Sequence, residues 1–207
     1  LGSDFNGELN GNVPTSAFYD KAYRGRWNGL TIISLSIGQG EMGCTPLQMA
    51  NMVATIANRG YYRIPHVVKR IHDRDSIDSR FYEKHYTKVD SRHFDPIVEG
   101  MYMAVNEGGT GHVAMVPGLD ICGKTGTAQN PHGRDNSTFF CFAPRNNPKI
   151  AVSVYIENGG FGATVAAPIA SLLTEYYLTD TIKRPDLVER IKTMQIAYPY
   201  YEKQRGK

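Results

Sequence analysis

The 207-residue sequence lacks most features of metal-binding, membrane-spanning and nucleic-acid-binding chains. Its three cysteines are widely spaced and form no C-x-x-C or His/Cys cluster, so a structural zinc site is not expected. No other metal and no cofactor is expected either. No apolar run is long enough to cross a bilayer, and no signal peptide is recognisable. A net charge of +3 is too balanced to indicate nucleic-acid binding. With 41% apolar residues, a folded globular chain is the expectation.

The first third of the chain reads as a turn-rich segment followed by a helix. Residues 1–29, rich in Gly and Asn, are predicted to be irregular. A β-branched apolar run follows at residues 30–37. Thr45 as N-cap, Pro46 in the first turn and Gly60 as a C′ glycine then predict a helix.

The remainder predicts an antiparallel meander between helices. Residues 61–71 are predicted to be extended, and residues 72–92 to form an insertion of loops and short elements. A second helix is predicted to open at Asp95-Pro96 and to stop at the glycine-rich residues 108–111. Three apolar runs separated by short turns predict consecutive strands, and a helix follows them: strands 119–128, 137–143 and 149–157, helix 166–178. The fold class is therefore α/β of the α+β type, an antiparallel sheet flanked by helices. We divide the chain into residues 1–178 and a basic, solvated tail, residues 179–207.

One glycine motif is rejected as a nucleotide site. Residues 38–43, Gly-Gln-Gly-Glu-Met-Gly, match G-x-G-x-x-G. A dinucleotide fold would begin its helix inside the motif, whereas here the helix signals come after it, and Pro46 removes an amide that an anion would need. No acidic residue follows at the offset that ribose binding requires.

The segment Gly123-Lys124-Thr125-Gly126-Thr127 carries the chemistry that we expect of the chain. Side chains alternate along a strand, so Thr125 and Thr127 share one face and their hydroxyls are placed to hold a carboxylate together. Gly126 lets another backbone approach closely, which suits a strand edge that receives an extended acyl peptide. The alternative is an ordinary edge strand whose Lys and Thr residues prevent aggregation.

The surrounding sequence resembles the transpeptidase domain of class B penicillin-binding proteins, most closely the penicillin-binding protein 2 subtype. The Lys-Thr-Gly element belongs to this superfamily. The similarity runs from residue 1 to residue 178 and rests on five segments: 35–40, 45–50, 117–129, 139–159 and 167–170. It implies the penicillin-binding/β-lactamase-like fold with its N-terminal half missing.

The resemblance also implies roles for individual residues. Lys124 would position the substrate carboxylate and support proton transfer, and the N–H of Thr127 would be one of two oxyanion donors, so these two are the catalytic candidates. Thr125 and Gly126 are the substrate-binding candidates, with the Thr127 hydroxyl assisting. The family also needs a serine followed three residues on by lysine, and a Ser-x-Asn element. No serine of this chain has either neighbour.

The implied function is therefore a fragment of a peptidoglycan D,D-transpeptidase that cross-links stem peptides and is acylated by β-lactam antibiotics. The implied location is the periplasmic face of the inner membrane, and a membrane glycan polymerase is the implied partner. A D,D-carboxypeptidase or β-lactamase relative, a penicillin-sensing receptor and an inactive binding module remain alternatives. An unpaired edge on the 149–157 strand would be covered by residues 1–37 or would promote homo-oligomers.

Cys122 and Cys141 leave one further alternative. They could lie opposite one another across the 128–137 hairpin and form a disulfide, or remain buried thiols, since the sequence does not fix the strand register.

Overall fold

The computed structural model describes residues 1–72 and 77–196 of the chain. Six helices and five strands occur there, with 3₁₀ turns at Ser79–Phe81, Ser91–His93 and His112–Ala114. In chain order the elements are α1 Ser16–Tyr23, α2 Gly29–Ser36, α3 Pro46–Ala57, β1 Tyr61–Tyr62, β2 His85–Tyr86, α4 Phe94–Asn106, β3 Cys122–Ala128, β4 Asn136–Ala143, β5 Ile150–Ile156, α5 Ala166–Thr179 and α6 Pro185–Thr193.

The predicted meander is confirmed as a three-stranded antiparallel sheet of order β3-β4-β5. Its register places Lys124 opposite Phe140 and Thr125 opposite Phe139, and β4 continues opposite β5 with Phe139 facing Val154. A separate two-stranded ribbon joins β1 to β2. Among the described residues, no strand pairs with the outer edge of β3 or of β5.

Helices cover both faces of the sheet and enclose two apolar clusters. On one face, α5 supplies Ala166 and Ala170, which pack with the fully buried Phe139 and Cys141. On the other face, Val53 of α3 and Met101 of α4 pack with Cys122 and Phe142. Burial of these side chains is the main term that stabilises the layered arrangement.

Three local predictions for the first part of the chain were wrong in part. Residues 1–29 are not irregular throughout, because α1 forms there with Thr15 as its N-cap, accepting from the Phe18 N–H. Gly60 lies one residue beyond the predicted position. The C′ residue is Arg59 at φ +60°, and the Gly60 N–H reaches back to Thr55 as the C″ donor. Of the predicted extended residues 61–71, only 61–62 form a strand.

The helix after the apolar run begins as the sequence predicted. Thr45 and Gln48 form a reciprocal capping box, and Pro46 occupies the first turn. The run before it forms α2 rather than a strand, so no strand precedes the G-x-G-x-x-G match. That match therefore lies between two helices, which agrees with its rejection as a nucleotide site.

The two cysteines of the hairpin are separate buried thiols. Cys122 lies opposite Phe142 and Cys141 opposite Gly123, which puts the two sulfurs on opposite faces of the sheet. Burial raises the pKa of each thiol to about 12.

Candidate functional site

Lys124, Thr125, Gly126 and Thr127 lie together on β3, an edge strand of the sheet. Lys124 is exposed and the other three residues are half-buried, so the segment is neither in the core nor in a helix. The Lys124 Nζ donates to the Thr125 carbonyl over 2.8 Å. The ammonium group therefore sits at the open edge, where an incoming ligand would meet it.

The backbone of Thr127 points away from β4. Its carbonyl accepts a hydrogen bond from the side chain of Gln39, which lies outside the sheet. In an antiparallel ladder the N–H and C=O of one residue point to the same side. The Thr127 N–H therefore faces the open edge as well, in the direction that an oxyanion donor requires.

The two threonine hydroxyls have different surroundings. Thr125 Oγ1 lies 2.9 Å from Thr110 Oγ1, in the glycine-rich loop after α4. The sequence identified that loop only as a helix stop, so Thr110 was missed as a neighbour of the site. Thr127 lies opposite Ser137, a buried residue whose Oγ donates to the Phe161 carbonyl and accepts from the Ala166 N–H.

Close backbone packing fixes the position of Gly126. A Cβ atom on Gly126 would lie 2.6 Å from the Thr138 methyl carbon. On Gly162, in the loop between β5 and α5, a Cβ atom would lie 2.5 Å from the Gly126 carbonyl oxygen and would also meet the Thr138 carbonyl oxygen. The loop thus crosses the sheet directly beside the candidate site.

Gln39 contacts the end of β3 through both ends of its carboxamide. Its Nε2 donates to the Thr127 carbonyl over 3.1 Å, and its Oε1 lies 3.4 Å from the Gln129 backbone nitrogen. The C-terminal end of α2 sets the direction of the Gln39 side chain. Gly38, at φ +75°, ends α2 in a Schellman motif in which the Gly38 N–H bonds to Leu35 and the Gln39 N–H to Ser34.

A cluster of aromatic residues around the Glu41 carboxylate holds the segment that follows Gln39 in place. Glu41 accepts hydrogen bonds from the hydroxyls of Tyr19, over 3.1 Å, and Tyr23. Tyr19 is 1% exposed, and its ring lies 5.8 Å from that of Trp27. The cluster connects α1 to the segment that carries Gln39. Its hydrogen bonds span about twenty residues, and the sequence contains no motif that would have predicted them.

These contacts give the cluster a defined pH dependence. The hydrogen bond from Tyr23 lowers the pKa of the Glu41 carboxyl below its ordinary value. The contribution of Glu41 to stability is therefore fully present above the ordinary carboxyl pKa, and it is lost as the pH falls through the lowered pKa of Glu41. Burial raises the pKa of Tyr19, and the hydrogen bond to Glu41 raises the pKa of Tyr23. The two tyrosines therefore contribute fully to stability below the ordinary tyrosine pKa, and this contribution is lost as the pH rises through their raised pKa values.

Tyr23→Phe is accordingly expected to move the acid transition of this cluster to higher pH, because it removes the donor that favours ionised Glu41. Fluorescence of Trp27, the only tryptophan, reports the transition during acid titration. Tyr82→Phe, at an exposed tyrosine, is the matched control and should leave the midpoint unchanged. Equal midpoints in the wild type and Tyr23→Phe would contradict the assignment.

The described residues contain neither a metal-ligand cluster nor a membrane-spanning helix. No group of three or more metal-ligating side chains comes together in residues 1–72 and 77–196. Across the same ranges, no helix has the length and apolar character needed to span a membrane.

A family model and several known proteins match this chain. The profile of the family described as penicillin binding protein transpeptidase domain matches residues 1–175. The peptidoglycan D,D-transpeptidase MrdA of Haemophilus influenzae is 33% identical over 202 residues, which cover 87% of this chain and 31% of that protein.

Solved structures are similar as well. The crystal structure of Pseudomonas aeruginosa PBP2 in complex with WCK 5153 matches with a TM-score of 0.75 and 38% identity, covering 86% of this chain and 40% of that one. A structure described as showing the coordination of polymerization and crosslinking by a peptidoglycan synthase complex matches with a TM-score of 0.71 and 29% identity, covering 88% of this chain and 31% of that one.

The chain belongs to the penicillin-binding protein transpeptidase domain family. The similarity to the penicillin-binding protein 2 subtype expected from the sequence is confirmed by these relatives. The chain spans about a third of the length of the curated relatives that it matches, 31% of the Haemophilus protein.

Proposed function

We propose that this chain is the C-terminal part of a serine-type peptidoglycan D,D-transpeptidase, and that the open edge of β3 binds the acyl peptide. The observation that carries the proposal is the placement of Lys124–Thr127 on an edge strand whose Thr127 backbone faces outward. An extended peptide can add to such an edge through main-chain hydrogen bonds, and side-chain pockets then give specificity.

Each residue of the segment has a role in this proposal. The Thr127 N–H donates to the carbonyl oxygen of the scissile bond and stabilises the charge that develops on it. Lys124, whose ammonium group lies at the edge, attracts the substrate carboxylate and supports proton transfer. The hydroxyls of Thr125 and Thr127 bind that carboxylate, and Gly126 allows the ligand backbone to approach.

The nucleophile must come from another part of the domain. No serine of this chain is followed by lysine at the third position. The helix α2 (Gly29–Ser36) leaves large apolar side chains in solvent, with Leu30 74% and Ile33 60% exposed. A surface of this kind is ordinarily covered by a partner. In the proposal, the upstream half of the domain packs against α2 and supplies both the Ser-x-x-Lys and the Ser-x-Asn elements.

The whole protein is proposed to act on peptidoglycan stem peptides and to be acylated by β-lactams at the periplasmic face of the inner membrane. MrdA is named a peptidoglycan D,D-transpeptidase, and the matched synthase complex is described as combining polymerization with crosslinking. A membrane glycan polymerase is therefore the proposed partner. We further propose that residues 1–178 belong to the catalytic domain and that a tail begins at residue 179; of the predicted tail 179–207, residues 197–207 lie outside the described residues.

Self-association remains a prediction for the chain in isolation. The outer edge of β5 (Ile150–Ile156) has no strand partner among the described residues, and neither α1 nor α2 packs against it extensively. Such an edge is a template for pairing with a second copy.

Acylation by penicillin tests the proposal. The chain alone is expected to gain no acyl mass in a mass spectrum, because it lacks the nucleophile, whereas the protein with the upstream half present should gain one acyl group per molecule. In that protein, Lys124→Ala should lower the acylation rate by about a hundredfold or more, as loss of a general acid-base group does. Lys88→Ala, at an exposed lysine away from β3, is the matched control. Stoichiometric acylation of the isolated chain, or an unaffected Lys124→Ala rate, would overturn the proposal.

A further inference from the structure

Two backbone groups that an added strand would use are already occupied. The Thr127 carbonyl accepts from Gln39 Nε2, and the Gln129 N–H points at Gln39 Oε1. A carboxamide has the donor and acceptor of a peptide unit, so Gln39 imitates one residue of a paired strand at the end of β3.

Geometry brings this contact into conflict with an acyl peptide. In an antiparallel sheet, two residues of a hydrogen-bonded pair exchange both of their N–H···O bonds. A ligand residue whose carbonyl accepts from the Thr127 N–H therefore directs its own N–H at the Thr127 carbonyl. The carbonyl oxygen has two lone pairs, but the Gln39 carboxamide reaches along the open edge from Thr127 to Gln129, where the ligand chain would continue, so the two compete for the same stretch of the edge.

The surroundings of Gln39 allow the side chain to move while its backbone stays. The backbone is fixed by the helix end at Gly38 and by the hydrogen bonds of Glu41, two residues after Gln39. Beside the carboxamide lies a cavity of about 640 Å³, lined by Gln39 itself, Glu41, Gln129 and Asp135 among others. This space can receive the carboxamide when it leaves the strand, with polar groups for its hydrogen bonds.

We propose that the Gln39 side chain blocks the edge of β3 that binds the acyl peptide and is displaced when a ligand binds. Gln39 is therefore a specificity-determining residue for ligands that carry an N–H on the carbon beside the reactive carbonyl. A ligand with that N–H must displace the Gln39 amide before it pairs fully with Thr127. A ligand without the N–H leaves the Gln39 contact intact. The inference rests on the proposed function, because it assigns a gate to the same edge.

Two penams distinguish the gate from a structural role. One carries an acylamino group, with its N–H, on the carbon beside the lactam carbonyl, and the other carries a substituent without N–H on that carbon. In the protein with the upstream half present, Gln39→Ala should raise the acylation rate with the first penam about threefold to tenfold, the range of one net hydrogen bond. The rate with the second penam should not change.

Two further variants sharpen the test. Gln39→Glu keeps an acceptor for the Gln129 N–H but removes the donor to Thr127, so it should act in the same direction as Gln39→Ala. Gln195→Ala, at an exposed glutamine beyond α6, is the matched control and should change neither rate.

Failure of the Gln39 proposal and failure of the proposed function give different results. Equal changes with both penams, or a fall in both rates, would overturn the gate and leave Gln39 as a structural tether of residues 38–44. If neither penam acylates the wild-type protein, the proposed function itself fails. Amide hydrogen exchange of Gln129 then still decides the point, since Gln39→Ala accelerates that exchange only if Gln39 covers the edge.

Discussion

Gly162→Ala is expected to destabilise the protein by about 3 kcal/mol, the upper part of the range for overpacking a tight site. The new Cβ atom would lie 2.5 Å from the Gly126 carbonyl oxygen, and it would meet the Thr138 carbonyl oxygen as well. Both obstacles are backbone atoms of the β3–β4 ladder (Cys122–Ala128 and Asn136–Ala143), so no side-chain rotation relieves the collision. Urea unfolding measures the loss as a lower midpoint.

Gly100→Ala supplies a control with the opposite sign. Gly100 lies inside α4 (Phe94–Asn106), and a Cβ atom there would have nothing within 4 Å. Alanine is the better helix former, so this variant should be more stable by about 0.5–1 kcal/mol. Similar shifts for the two variants would show that the loop between β5 and α5 does not press on the sheet.

Arg184→Ala is expected to cost about 3–5 kcal/mol, because it leaves a buried carboxylate without its charge partner. Glu175, on α5 (Ala166–Thr179), is 3% exposed and accepts from Arg184 Nε over 2.9 Å. It also accepts from the Lys183 N–H, and Arg184 Nη1 donates to Ser171 Oγ. Together these bonds attach the start of the tail to the body of the domain. The measurement is the free energy of unfolding in denaturant.

Two further variants show whether the burial of Glu175 causes the large loss of stability expected for Arg184→Ala. Glu99→Ala breaks the Arg145–Glu99 pair, whose side chains are 32% and 44% exposed, and should cost only about 0.2–1 kcal/mol. The double variant Arg184→Met/Glu175→Leu removes both charges and should recover most of the loss. A cost for Arg184→Ala no larger than that for Glu99→Ala would contradict the argument.

Local chemistry made the second half of the chain predictable. Short turns with Asn, Pro and Gly separate three alternating apolar runs, and those runs became β3, β4 and β5 (Ile150–Ile156) within a few residues of the predicted bounds. Thr45 and Pro46 likewise specify a helix start through contacts within one turn. Signals of this kind are contained in a few neighbouring residues.

The features that the sequence did not predict have one physical cause, which is stabilisation by distant partners. Residues 1–29 are rich in turn-forming residues, yet α1 (Ser16–Tyr23) forms where Tyr19 and Tyr23 reach Glu41. The β-branched run forms α2 although its residue types favour strands. Gln39 meets Thr127 across 88 positions of sequence, and Thr110 meets Thr125 only after α4 and β3 have packed. The Lys-Thr-Gly element predicted the strand of the site, but not the side chains around it.

The Schellman motif at Gly38 connects ligand preference to a residue that no ligand touches. The left-handed backbone there, at φ +75°, is disfavoured for side-chain-bearing residues, and it determines the direction in which the following carboxamide leaves the chain. A change in the torsion angles of this one peptide would swing the amide off the strand without altering any group in the pocket. Under the proposed role of Gln39, a substitution at Gly38 would therefore alter ligand selectivity through the conformation of a helix end, although Gly38 itself contacts no ligand.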